Sequence, residues 1–116
     1  MTPIADLDEI FDARPKRYSV ELEATLIYRT PAGEHSIRGL GRNISKNGMA
    51  VLVPEELTIG MELKLALPVL GECMYFDAMI RNREQYTYGL AFLNPPEHQR
   101  TTLATYCSAM ALASAL

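Results

Sequence analysis

The chain has 116 residues, of which 48% are hydrophobic and 22% charged, a composition typical of one globular domain with a single core. No apolar run reaches the roughly 20 residues that a membrane-spanning helix needs, and acidic residues near the N-terminus argue against a signal peptide. The net charge of −3 argues against bulk DNA or RNA binding, which usually requires a basic surface.

The chain begins with an acidic lead at residues 1–13, followed by a basic arm at residues 14–17, Arg14-Pro15-Lys16-Arg17. Apolar residues recur in the lead at helical spacing among the acids, namely Ile4, Leu7, Ile10 and Phe11. This pattern fits either a short helix laid over the domain or a disordered lead, and the favoured prediction is a partly ordered segment that Pro15 ends.

Residues 18–93 contain six apolar runs with the alternation of half-buried strands. The predicted strands span residues 18–29, 35–44, 49–53, 61–67, 72–83 and 86–93. Gly39 and Gly41 interrupt the second run, which predicts a bulge or a close approach of two backbones. Pro54 and Pro68 are expected to end the third and fourth strands. Six short strands with turn signals between them indicate an antiparallel sandwich or a small closed barrel.

The last segment has a helical pattern from residue 95 to 116. Asn94 is predicted as the N-cap, with Pro95 at the first helical position and Glu97 three residues after the cap. One stripe of the helix is formed by Leu103, Cys107, Met110 and Ser114. The favoured interpretation is a cover for the apolar end of the barrel, and the alternative is packing against a second copy.

The two cysteines, Cys73 and Cys107, do not form a CxxC pattern. Their apolar surroundings in a strand and a helix predict reduced core residues and not a disulfide or a zinc site. Reduced cysteines are typical of a cytoplasmic protein.

Basic residues concentrate in two stretches of the chain. Six of the 11 basic residues fall in segments 14–17 and 38–46, namely Arg14, Lys16, Arg17, Arg38, Arg42 and Lys46. If the fold brings these segments together, the acidic protein acquires a local cationic pocket. Such a pocket suits a small phosphate-bearing ligand better than a long polyanion.

A polar turn, Asn43 to Gly48, separates the second and third predicted strands. Taken alone, it is typical of a plain hairpin connection. Together with the basic arm and the later stretch Tyr88-Gly89-Leu90-Ala91-Phe92, however, it resembles the PilZ domain family, the bacterial receptors for cyclic di-GMP. The family motif [D/N]-x-S-x-x-G is matched by Asn43, Ser45 and Gly48. The family motif R-x-x-x-R is matched only at Arg17, because Ala13 stands at the other arginine position.

The resemblance implies a six-stranded antiparallel β-barrel with a C-terminal helix over residues 14–116, and a binding site for cyclic di-GMP. The implied ligand-binding residues are Arg14, Lys16, Arg17, Asn43, Ser45 and Gly48. The arginines suit a guanine edge or a phosphate, and the lysine suits a phosphate. Asn43 suits a guanine edge, Ser45 a ligand contact or the turn itself, and Gly48 a backbone role.

The resemblance therefore implies a cytoplasmic receptor that relays a second-messenger signal to a protein effector. No metal, cofactor or reaction of its own is expected, because His35 and His98 do not form an acid–His–Ser pattern with Ser45. The alternative is a degenerate PilZ domain that binds no nucleotide and serves as an interaction module in motility or pilus systems. A homodimer through the C-terminal helix is compatible with both functions.

Overall fold

The computed structural model describes the backbone of residues 16–115 and the side chains of residues 16–113. Six strands and one helix make up this part of the chain: β1 Tyr18–Thr30, β2 Gly33–Ile44, β3 Gly48–Leu52, β4 Glu62–Val69, β5 Glu72–Glu84, β6 Thr87–Phe92 and α1 Glu97–Ala115. The acidic lead and the arm residues Arg14 and Pro15 lie outside the described residues.

The strands form a closed barrel in the order β1-β2-β3-β6-β5-β4. All neighbours are antiparallel, and β4 closes the barrel by pairing with β1 between Ala66 and Thr25, Leu65 and Leu26, and Lys64 and Ile27. The predicted six-stranded antiparallel barrel with a C-terminal helix is therefore confirmed, and the sandwich alternative is wrong.

The barrel core is built from the inward-facing residues of the alternating strands. Leu26, Phe76 and Tyr88 are fully buried, and the rings of Phe76 and Phe92 stack with their centroids 4.8 Å apart. Leu103 of α1 is also fully buried and belongs to the same cluster. The helix thus covers apolar barrel residues, as the favoured interpretation of its stripe predicted.

Pro68 does not end the fourth strand, contrary to expectation, because β4 continues to Val69. Pro68 is paired with Cys73 of β5, whereas the pairing of β4 with β1 extends only to Ala66. A proline lacks a backbone N–H, so it is tolerated in a strand where one side needs no ladder bond.

Asn94 does not cap the helix. It has a left-handed conformation with φ of 38°, which turns the chain between β6 and α1. The helix begins at Glu97, and Arg100 N–H donates to the carbonyl of Pro96 at 3.0 Å. The predicted start at Pro95 is therefore two residues early.

Cys73 and Cys107 are both free, but only Cys107 is buried. Cys73 is exposed because it lies at the start of β5, one residue before the buried Met74. The prediction of two core cysteines is therefore wrong for Cys73. In the described part of the chain, no helix is both long and apolar enough to span a membrane.

Candidate functional site

The turn between β2 and β3 is closed by Ser45. Its backbone N–H donates to the carbonyl of Gly48 at 2.8 Å, and its hydroxyl donates to the same oxygen at 3.3 Å. The hydroxyl also accepts a hydrogen bond from Asn47 N–H at 3.1 Å. Ser45 is only 2% exposed, so in this structure its side chain holds the turn.

Gly48 is buried and lies directly opposite Ala91 of β6. A Cβ atom at this position would collide with the carbonyl oxygen of Leu90. The φ angle of Gly48 is not positive, so the packing against β6 requires the absence of a side chain and not a left-handed backbone conformation. Gly48 allows β3 to lie close to β6 where the turn ends and the strand begins.

Asn43 is brought to the outer surface by a β-bulge. The register of β2 against β3 shifts between Gly41 and Asn43, which leaves Arg42 as an extra residue. Asn43 then faces outward beside Ala50, and Arg42 is exposed next to it. A bulge of this kind places two consecutive side chains on one face, and it confirms the irregularity predicted beside Gly41.

Arg17 and Asn43 are joined by a hydrogen bond. Arg17 Nη1 donates to Asn43 Oδ1 at 2.6 Å, across 26 residues of sequence. Lys16 directly precedes Arg17 in the chain, and its Nζ lies 5.6 Å from the centroid of the Tyr18 ring. The fold therefore brings the end of the arm onto the first residue of the turn motif, whereas Arg14 lies outside the described residues.

Lys46 connects the same turn electrostatically to α1. Burial raises the pKa of the Cys107 thiol, and the positive charge of Lys46 partly opposes this effect. The pKa of the neighbouring Tyr106 hydroxyl is also raised, mainly by burial and in addition by the charge of Cys107. Among the described residues, no group of three or more His, Cys, Asp and Glu could hold a metal ion.

Sequence reasoning missed the residues that extend this outer face beyond β3. Gly89 of β6 lies opposite Ala50, and Asn82 of β5 lies opposite Gly89. The available signal was a glycine inside a strand, which often marks close packing of another group onto the backbone. Here that group is the exposed side chain of Asn82.

A cavity of about 650 Å³ lies elsewhere on the barrel surface. It is lined by Glu23, Arg38, Gly39, Leu40, Leu52, Pro54 and Tyr86. Of the predicted ligand-binding residues that the structure describes, none lines it, and leucine, proline and tyrosine side chains dominate its wall. An anionic nucleotide is better matched by the arginine, lysine and asparagine side chains near the turn.

Comparisons with known proteins agree with this fold. The family described as PilZ domain matches residues 13–109. A search of curated proteins finds no significant match. Solved structures with a similar fold include the PilZ domain of CeSA from a cellulose-synthesizing bacterium, at 15% identity and a TM-score of 0.60, covering 77% of this chain and 91% of that chain.

Two longer proteins also contain this fold. YcgR from Escherichia coli, solved in complex with c-di-GMP, is 19% identical with a TM-score of 0.70 over 87% of this chain and 46% of that chain. The inhibitor of motility MotI/DgrA from Bacillus subtilis is 20% identical with a TM-score of 0.67 over 86% of this chain and 51% of that chain. The present chain thus spans about half the length of each.

Proposed function

We propose that this chain, which belongs to the PilZ domain family, is a cyclic di-GMP receptor and adaptor that relays the signal to a protein effector. The observation that carries the proposal is the hydrogen bond between Arg17 and Asn43 at 2.6 Å. The two residues come from separate family motifs, and the fold places them side by side at the surface. The E. coli YcgR structure with c-di-GMP supports the choice of ligand.

Arg17 and Asn43 supply the chemistry that such a ligand requires. A guanidinium group has five N–H donors in a fixed fork, so Arg17 can keep its bond to Asn43 and still donate to a phosphate or to guanine O6 and N7. Asn43 can donate to and accept from a guanine edge through its amide. Because the guanidinium is already oriented by Asn43, less side-chain freedom is lost on binding.

The remaining predicted residues support these contacts. Lys16 and Arg14 add positive charge next to Arg17, and Lys16 suits a phosphate as a point charge. Ser45 and Gly48 hold the turn and fix the strand that carries Asn43. Ala13 stands where the family arm has an arginine, and Arg14 is the proposed replacement for that arginine.

Signal transfer is proposed to use the arm, the α1 helix or both. Arg17 lies directly before β1, so ligand contacts there would act on the orientation of the preceding arm. The end of α1 offers a surface for an effector or a second copy, because Leu112 is 71% exposed. As a receptor of this kind, the protein would act in the cytoplasm, with no reaction of its own and no cofactor.

The proposal is tested by isothermal titration calorimetry of the full chain with cyclic di-GMP, with GTP as the control ligand. Saturable binding at micromolar or tighter affinity, with no comparable heat from GTP, is the expected result. Incubation with cyclic di-GMP should leave the ligand intact. Absence of both heat and a thermal shift would overturn the receptor function and favour the nucleotide-free interaction module.

A further inference from the structure

Four outward-facing residues form a straight row across the barrel beside the turn. Asn43 of β2 pairs with Ala50 of β3, Ala50 pairs with Gly89 of β6, and Gly89 pairs with Asn82 of β5. An asparagine therefore stands at each end of the row, with the two smallest side-chain types between them. Three inter-strand spacings separate the two asparagine backbones, about 14 Å.

Each asparagine follows an arginine at a bulge. In β2 the register shifts between Gly41 and Asn43 and leaves Arg42 as the extra residue. In β5 it shifts between Ile80 and Asn82 and leaves Arg81 as the extra residue. Arg42 and Arg81 are both exposed, so an Arg-Asn pair reaches the outer face on each side of the row.

The two Arg-Asn pairs are related by a local two-fold axis. β3 and β6 are antiparallel, and their register pairs Ala50 with Gly89, so the axis passes between these two residues. Adding 39 to both residue numbers of a pair in the β2–β3 ladder gives a pair in the β5–β6 ladder. For example, Asn43 opposite Ala50 becomes Asn82 opposite Gly89. The same shift relates four matching register pairs, including the last pair before each bulge.

The sheet surface between the two Arg-Asn pairs carries little side-chain volume. Ala50 contributes a methyl group, and Gly89 contributes no side chain. A Cβ atom on Gly89 would lie 2.8 Å from Asn82 Nδ2. The absence of a side chain at Gly89 therefore allows the Asn82 amide to pack directly on the sheet. The Asn82 amide thus lies over Gly89, and a flat ligand between the two Arg-Asn pairs would contact Ala50 and this amide.

We propose that Arg81 and Asn82 form the second half of the cyclic di-GMP site. This inference rests on the proposed function. Cyclic di-GMP contains two identical guanylate units in one ring and therefore has a two-fold axis of its own. One molecule lies across Ala50 and the Asn82 amide that covers Gly89, with one guanylate read by Arg42 and Asn43 and the other by Arg81 and Asn82. Each arginine contacts a phosphate or guanine O6 and N7, and each asparagine contacts a guanine edge.

The test is calorimetric titration of the full chain and of Arg81→Ala and Asn82→Ala with cyclic di-GMP. Each variant is expected to bind on the order of tenfold more weakly, as for loss of one hydrogen bond to a charged or bidentate partner. Arg29→Ala is the matched control, because Arg29 is exposed at the tip of the β1–β2 hairpin, next to Glu34. It should bind with parental affinity, and the melting temperatures of all three variants should equal that of the parent because the side chains are exposed.

A second measurement locates the ligand directly. In NMR spectra of the parent, added cyclic di-GMP should shift the backbone amide signals of Asn43, Ala50, Gly89 and Asn82 together. Binding by the parent with unchanged affinity in both variants, or with shifts confined to the Asn43 side, would overturn the two-fold site and leave the receptor function intact. Failure of the parent to bind cyclic di-GMP would overturn both.

Discussion

The two halves of the motif from Asn43 to Gly48 have opposite environments. Asn43 lies at the surface and accepts a hydrogen bond from Arg17, whereas Ser45 is 2% exposed and Gly48 is packed against the backbone of β6. The first half is at the surface, as the proposed ligand contact requires, and the second half builds the turn. We therefore expect substitutions in the first half to affect binding and substitutions in the second half to affect folding.

Gly48→Ala should have the largest effect, on stability. The new methyl group would collide with the carbonyl oxygen of Leu90, and relief requires β3 and β6 to separate. Overpacking in well-packed regions costs about 1–3 kcal/mol and occasionally more, and we expect about 3 kcal/mol here because the obstacle is backbone. Urea denaturation measures the loss. Asn47→Ala, at an exposed position in the same turn, is the control and should cost much less.

Ser45→Ala should lower the free energy of unfolding by about 1–2 kcal/mol. It removes the hydroxyl bonds to Gly48 and Asn47 in a buried position. At a temperature where the variant is fully folded, its affinity for cyclic di-GMP should stay within a few-fold of the parent. A large loss of affinity in a variant with normal stability would show instead that the hydroxyl contacts the ligand.

Arg17→Ala should weaken ligand binding and leave stability unchanged, the reverse of Ser45→Ala. Its affinity for cyclic di-GMP should fall on the order of tenfold or more, because a charge-assisted contact is lost. Its denaturation midpoint should remain close to the parental value, since the hydrogen bond to Asn43 is exposed. Parental affinity in this variant would remove Arg17 from the site. The same result for both Arg17→Ala and Ser45→Ala would break the contrast between the halves.

Lys46→Ala should have the smallest effect, and it concerns the action of the Lys46 charge on Cys107 of α1. Burial already raises the pKa of the Cys107 thiol, and loss of the lysine charge should raise it further. The thiol of the folded protein then stays neutral at pH values where the unfolded thiol ionises. Its contribution to stability is therefore intact below the pKa of the unfolded thiol and is lost as the pH rises through the folded pKa.

The pKa of Cys107 can be followed by the pH dependence of its ¹³Cβ chemical shift, in a Cys73→Ser background. The titration should move to higher pH in Lys46→Ala. A matched substitution of the exposed Arg100, which lies on α1 itself, is the control and should move it less. An unchanged titration in Lys46→Ala would mean that the turn does not act on the helix through this charge.

Much of the fold followed from local pattern. The alternation from Tyr18 onward predicted β1, and the stripe of Leu103 and Cys107 predicted the buried face of α1. The predicted ends of elements were wrong where tertiary contacts determine the backbone conformation. Pro68 is tolerated in β4 because its far side needs no partner, and Asn94 adopts a left-handed turn in place of a helix cap.

The sequence by itself determined the strand periodicity, the turn motif and the residue types of the site, because these depend on neighbours along the chain. Only the tertiary structure decided that Arg17 meets Asn43 and that Asn43, Ala50, Gly89 and Asn82 share one row. Register and bulges are set by pairing between distant strands, and a shift of one residue would turn each side chain to the other face. The Arg-Asn pairs at positions 42–43 and 81–82 are related by a two-fold axis because β3 pairs with β6.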